Sequence, residues 1–308
     1  VPSHSFILNV IAGPSAQLQH QDGADLKAAI GKIAETGPLT WLAENRAFDL
    51  AFEGNAVEVR AAARSVFQGK AIDVNAMPAA NRRKKILVAD MDSTIITCEC
   101  LDELADMAGI KAKVSAITER AMRGELDFAA ALRERVALIK GLDLKALEQV
   151  YAERVRLNPG ARELLATMRK AGAHTMLVSG GFTYFTSRVA KDAGFEANQG
   201  NTLLDDGTAL TGTVGEPILG RDAKRQALED LVKTHNLTLT DSLAVGDGAN
   251  DLDMIQKSGL GVAYHAKPVV AEAAETLPTG ATIQHGDLTS LLYLQGYSAS
   301  EIVNAPAQ

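Results

Sequence analysis

A chain of 308 residues exceeds the usual size of one compact domain, and 46% hydrophobic with 22% charged residues at a mean hydropathy near zero excludes long disordered tracts. The formal net charge of −7 and a pI near 5.5 exclude any global attraction to nucleic acid or an anionic membrane, so any phosphate must be met by local positive charge. No run approaches the roughly eighteen apolar residues of a membrane span, and no basic stretch followed by an apolar run opens the chain, so neither a membrane anchor nor a secretion signal is expected.

The first predicted elements are a strand at residues 5–11, a helix at 25–35, a hairpin from strands 39–44 and 47–53, a helix at 56–67 and a strand at 71–75. That order, βαββαβ, is a small α+β open sandwich with two helices on one sheet face. It carries no function by itself. The segment 77–85, Met-Pro-Ala-Ala-Asn-Arg-Arg-Lys-Lys, reads as a linker, which divides the chain into residues 1–80 and 81–308.

Beyond the linker, residues 85–89 form a short apolar strand, and the next apolar strand, 175–178, follows only after more than eighty residues. The interval reads as helices at 101–108, 112–123, 128–139 and 145–153, with Gly109, Gly124 and Gly141 as stops. Helices at 182–193 and 222–234 and strands at 242–245 and 260–263 then alternate, with a hairpin turn around Asp205-Asp206-Gly207. The expected fold class is therefore α/β. A Rossmann-like parallel sheet has helices on both faces and a four-helix cap, at about 98–157, inserted after its first strand.

In an open α/β sheet, ligands gather beyond the carboxyl ends of the strands. There the chain carries Asp90-Met91-Asp92-Ser93-Thr94, then Ser179-Gly180-Gly181, then Gly246-Asp247-Gly248-Ala249-Asn250-Asp251. A carboxylate such as Asp90 attacks phosphorus only when the repulsion between the two anions is cancelled, as a hard divalent cation with oxygen ligands does. Asp247 supplies a second carboxylate. Asp92, two residues past Asp90, suits a general acid and then a general base, with its backbone carbonyl toward the metal. Ser179, the amides of Gly180 and Gly181, and Lys224 near a helix start suit the oxygens of a transferring phosphoryl group. Alone, each motif has a plainer reading: a capped turn, a loop, or a solvated lysine.

Taken together and in order, these segments resemble the four motifs of the haloacid-dehalogenase (HAD) superfamily of phosphatases, over residues 84–294. The resemblance implies Asp90 as nucleophile and Asp92 as acid/base. It implies one Mg2+ held by Asp90, Asp92 and Asp247, Asp251 and Asn250 supporting the metal shell or substrate, and Ser179 and Lys224 binding phosphate.

Within the cap, Phe128, Leu132, Arg135 and Ile139 share one helix face, so Arg135 falls inside an apolar stripe. An internal salt bridge or a snorkelling side chain is the plain reading; pairing with a substrate carboxylate is the functional one. Glu99, nine residues after Asp90, is either a helix-start carboxylate or an acceptor for an ammonium group. The segments Asp90 to Ile96, Glu99, Ala121 to Phe128, Leu132 to Val136 and Val178 to Phe182 resemble the phosphoserine phosphatase family within that superfamily. This implies hydrolysis of phosphoserine as the last step of a phosphorylated route to serine, with Glu99 and Arg135 on the amino-acid end and Met122 and Phe128 lining the cap. It also implies that residues 1–80 are ACT-like, serving an amino-acid effector or homodimerisation. Cys98 and Cys100, too close for an ordinary disulfide, read as reduced thiols and make the cytoplasm the expected compartment.

Overall fold

The computed structural model describes residues 4–122 and 125–304, save the Met122 side chain. The chain opens with strand β1 (Phe6–Ala12), helix α1 (His20–Ile30), strands β2 (Glu35–Ala43) and β3 (Ala47–Glu53), helix α2 (Ala56–Val66) and strand β4 (Ile72–Pro78). These strands form an antiparallel sheet in the order β2-β3-β1-β4. Its core gathers Leu8, Val10, Phe48, Leu50 and Val74 from the strands with Leu26, Ile30, Val59 and Ala63 from the helices. The predicted helix at 25–35 is corrected to His20–Ile30. The Gln19 backbone N–H donates to the Asp22 carboxylate at 2.7 Å, which starts the helix early, and Glu35 already belongs to β2.

The chain continues through strand β5 (Ile86–Ala89) and helices α3 (Cys100–Met107), α4 (Lys111–Met122), α5 (Phe128–Ala137), α6 (Lys145–Arg154) and α7 (Ala161–Lys170). Next come β6 (His174–Phe182), α8 (Thr183–Ala193), β7 (Ala197–Asn201), β8 (Leu203–Asp205), β9 (Leu210–Val214) and α9 (Arg221–Thr234). The chain closes with β10 (Ser242–Gly246), α10 (Leu252–Lys257), β11 (Leu260–Tyr264), α11 (Pro268–Thr276), β12 (Gly280–Ile283) and α12 (Ser290–Leu294). Six strands make one sheet in the order β12-β11-β10-β5-β6-β7. All residues of β5, β10, β11 and β12 are buried, as strands covered on both faces must be. The helices α3 to α6 lie between β5 and β6 in sequence, as the cap expectation requires, and β8 and β9 form the hairpin expected around Asp205-Asp206-Gly207.

Two compact units emerge. One comprises Val1–Val88, Pro159–Thr175 and Leu228–Gln308, the other Ala89–Asn158 and Met176–Ala227. Within the first, the linker is anchored by Lys84, whose Nζ donates to the carbonyls of Asn81 and Thr240, both at 2.7 Å. Also in this unit, Asp73 on β4 accepts the backbone N–H groups of Gln284, His285 and Gly286, and Asn75 pairs with both the N–H and the C=O of Thr282 on β12.

Within the second unit, the two ends of the cap run side by side. Thr97 N–H donates to Arg156 O at 2.9 Å, Asn158 N–H donates to Ile95 O at 2.8 Å, and Ile96 bridges Leu157. The Asn158 side chain adds bonds to the carbonyls of Thr94 and Ile96. The far end of the cap rests on the β8–β9 hairpin: Gly141 N–H donates to Leu210 O, and Leu210 N–H returns the bond to Leu142 O.

Candidate active site

The apolar run of β5 ends at Ala89, and the chain turns over Met91–Ile95. Asp92 stays extended in that turn and Ser93 takes a left-handed φ of 56°, a conformation uncommon for a residue with a side chain and concentrated at functional turns. Asp90 is thereby buried at the strand end, 5% exposed. Lys224, on the first turn of α9, is 2% exposed and places Nζ 2.5 Å from Asp90 Oδ1. A lysine buried to this degree is stable as a cation only against such a carboxylate.

Asp92 faces a different set of groups. Its Oδ1 accepts the Cys100 N–H at 2.9 Å and its Oδ2 accepts the Ser179 hydroxyl at 3.1 Å. Burial, and after it the charge of Glu99, push the Asp92 carboxyl up to about 6. Ser179 in turn accepts the Gly181 N–H at 2.8 Å. A Cβ on Gly181 would lie 2.9 Å from Asp92 Oδ2, and one on Gly180 would lie 2.9 Å from the Phe128 ring, so a side chain at either position would push those neighbours aside.

Phe128, the first residue of α5, also stands over Gly220, where a Cβ would approach its ring to 3.3 Å. Glu99, exposed at the start of α3, accepts the Ser93 hydroxyl at 2.7 Å. Arg135 is half-buried, and its one hydrogen bond among the described residues runs from Nε to the Ala131 carbonyl at 3.3 Å. Burial pulls its guanidinium below the usual arginine range while the charges of Asp102 and Glu99 oppose that. No carboxylate among the described residues stands within ion-pair distance of it, so the salt bridge that the plain reading calls for is absent there. The Met122 side chain lies outside the described residues.

After β10, Asp247 is buried and its backbone carbonyl accepts the Lys267 N–H at 3.1 Å. Asp251 is fully buried and accepts the Gly248 N–H at 3.0 Å, while Asn250 leans over Gly248. Asp247 and Asp251 form a buried acidic cluster, each offering one oxygen within 4.8 Å of the other. Two buried carboxylates this close repel one another strongly unless a cation offsets them. Oxygen-only donors of this charge fit a hard divalent ion such as Mg2+. The Asp92 carboxylate is not in the cluster, being turned to Ser179 and Cys100.

Sequence reading passed over Asn201, at the end of β7 and 1% exposed. Its amide bonds to Gly180 O and to both backbone groups of Leu219. An asparagine after a polar run carries no sequence signal of that role.

Residues 87–256 match the family model of haloacid dehalogenase-like hydrolases. A phosphoserine phosphatase of Polaromonas sp. is 45% identical over 215 residues, which cover 68% of this chain and 89% of that protein. A phosphoserine phosphatase of Archaeoglobus fulgidus is 41% identical over 223 residues, 72% of this chain but only 64% of that longer protein. Among solved structures, a HAD family hydrolase from Salmonella enterica serovar Typhi superposes with a TM-score of 0.81 at 29% identity, covering 94% of this chain and 97% of the other.

Proposed function

The chain belongs to the haloacid dehalogenase-like hydrolase family, and from that premise we propose that it is a phosphoric monoester hydrolase that releases phosphate from phosphoserine through an aspartyl-phosphate intermediate. The observation that carries the reading is the pairing of two buried groups, the Asp90 carboxylate and the Lys224 ammonium, beside the Asp92–Ser179 contact. In the first step an oxygen of Asp90 attacks phosphorus and the bond from phosphorus to the serine oxygen breaks. The leaving oxygen takes the proton of Asp92, whose raised pKa keeps that proton available near neutrality. In the second step Asp92, now a carboxylate, accepts a proton from the water that attacks the acyl phosphate, and Asp90 is regenerated with release of phosphate.

Lys224, Ser179 and the amides of Gly180 and Gly181 hold the phosphoryl oxygens through both steps. Asp90, Asp247 and the Asp92 backbone carbonyl would hold one Mg2+, with Asp251 and Asn250 supporting the shell or substrate. When bound, the ion supplies the charge neutralisation that lets one anion approach another. At the other end of the substrate, Arg135 pairs with the carboxylate, Glu99 accepts the ammonium hydrogens, and Phe128 lines the cap beside the alkyl carbon. The reaction belongs at the end of a phosphorylated route to serine, in the cytoplasm. No helix among the described residues is long and apolar enough to cross a membrane. The N-terminal domain, ACT-like in element order, serves an amino-acid effector or a second copy of the chain.

Phosphate release from phosphoserine with and without Mg2+, comparing the parent with Asp90→Asn, tests the assignment. The variant loses turnover because an amide cannot form the acyl phosphate; parental activity in it would remove Asp90 from the role.

A further inference from the structure

The segment Ser179-Gly180-Gly181 is a bulge in β6. Pairing with β7 sets Val178 opposite Gln199 and resumes with Phe182 opposite Asn201, so three residues of β6 face the single residue Gly200. A bulge releases backbone groups from the ladder and re-aims side chains. Here it turns Ser179 onto Asp92. It also takes the Gly180 carbonyl out of strand pairing, and the Asn201 side chain replaces the missing strand partner, with Nδ2 donating to Gly180 O at 2.9 Å.

The same amide grips a second loop. Asn201 Nδ2 donates to Leu219 O at 3.1 Å, and Oδ1 accepts the Leu219 N–H at 2.7 Å. Both Nδ2 hydrogens meet carbonyls and Oδ1 meets an N–H, so the orientation of the amide is fixed by backbone groups whose donor and acceptor roles are unambiguous. Leu219 is followed by Gly220 and then by the first turn of α9, which carries Lys224. One buried side chain therefore joins the loop of Ser179 and Gly180 to the loop that launches Lys224.

We propose that Asn201 is a positioning residue that sets the spacing between the Ser179–Gly181 donors and the Lys224 ammonium, so that a phosphate meets a cradle of fixed width. This rests on the phosphatase reading above, in which those groups hold the phosphoryl oxygens. Misplacing such donors by a fraction of an ångström weakens every bond to the transferring group at once. The chemistry of the site is specific for an amide. A carboxylate at position 201 would confront the Gly180 and Leu219 carbonyls with no hydrogen to give, and alanine would simply leave them unpaired.

The test uses the full chain with Asn201→Ala and Asn201→Asp, reading kcat and KM for phosphoserine, the inhibition constant of inorganic phosphate, and the melting temperature. For Asn201→Ala, kcat/KM falls about 10- to 100-fold and phosphate inhibition weakens by a comparable factor, with Asn201→Asp the more affected. A purely structural asparagine would lower the melting temperature and the yield of folded enzyme while the folded fraction kept the parental inhibition constant and KM. That result overturns the proposal. Should Asn201→Asp fail to fold, Asn201→Ala still decides. If the parent itself does not turn over phosphoserine, the proposed function fails, and the cradle is read instead from calorimetric binding of inorganic phosphate, where equal affinity in the parent and Asn201→Ala overturns the positioning role.

Discussion

Arg135 is the residue by which the proposed reaction would tie the cap to a substrate. A half-buried guanidinium whose one side-chain hydrogen bond among the described residues is to a carbonyl of its own helix retains unspent donors in a planar fork. Arg135→Ala is expected to lower kcat/KM for phosphoserine by about 10- to 100-fold, the worth of a charge-assisted pair, and to change turnover of an aryl phosphate only slightly. Equal losses on both substrates would place the arginine outside the site. Asp92 gives a second prediction at this scale. In the proposed reaction its acid form protonates the leaving oxygen, so the first step slackens as pH rises through the Asp92 pKa, which burial and then Glu99 hold at about 6. Glu99→Gln removes one of the two upward pushes, so the alkaline limb of the kcat/KM profile moves to lower pH, and an unmoved limb would show that Asp92 does not set it. The candidate carboxylates Asp90, Asp92 and Asp247 stand out in the sequence because their motifs each follow an apolar run and occur in the order of one superfamily. That Arg135 has no carboxylate partner among the described residues is not legible, since an apolar stripe on one helix says nothing of which carboxylates lie opposite it.

At the scale of elements, the cap is held by its two ends and by a hairpin. The paired segments around Ile96 and Leu157 are cross-tied by the Asn158 amide, which donates to the carbonyls of Thr94 and Ile96 at 2.8 and 3.2 Å. Asn158→Ala leaves both acceptors short of a donor at the base of the cap. It is expected to cost about 1–3 kcal/mol, a loss of several degrees in melting temperature by scanning calorimetry, and to raise KM more than it lowers kcat. A variant with the parental melting temperature would show that the cross-tie contributes nothing. Sequence patterning found β5, β10 and β11 because strands buried on both faces are almost uniformly apolar. It passed over β7, whose sequence Ala-Asn-Gln-Gly-Asn is that of a polar edge strand, and β12, only four residues long. The start of α1 was misplaced for a local reason: the N–H of Gln19 is satisfied by a carboxylate three residues on, and no residue-level pattern near 25 competes with that bond.

For the whole molecule, the α+β class of residues 1–80 and the parallel α/β class of the rest were implied by the alternation of elements, but the strand orders and the way β4 meets β12 were not. Asp73 takes three successive backbone N–H groups of residues 284–286, and Arg82 pairs with Asp49 at 2.6 Å while also reaching the Leu294 carbonyl at 3.1 Å. Polar residues on a strand predict only an exposed face, whereas Asp73 is buried and answered from more than two hundred residues away. Asp73→Ala is expected to destabilise the full chain by about 2–4 kcal/mol, measured by urea unfolding, because three backbone donors lose their acceptor together. A change within error of the parent would mean that water replaces the carboxylate without cost. The bond pair between the Asn75 side chain and Thr282 has a consequence of another kind. An amide that mimics a neighbouring backbone occupies part of the outer rim of β12, an edge to which an unrelated chain could otherwise add itself as a seventh strand. Nicking the linker near Ala79 and stripping away the first module should therefore yield a remnant that clumps in proportion to its concentration, even while its chemistry stays intact.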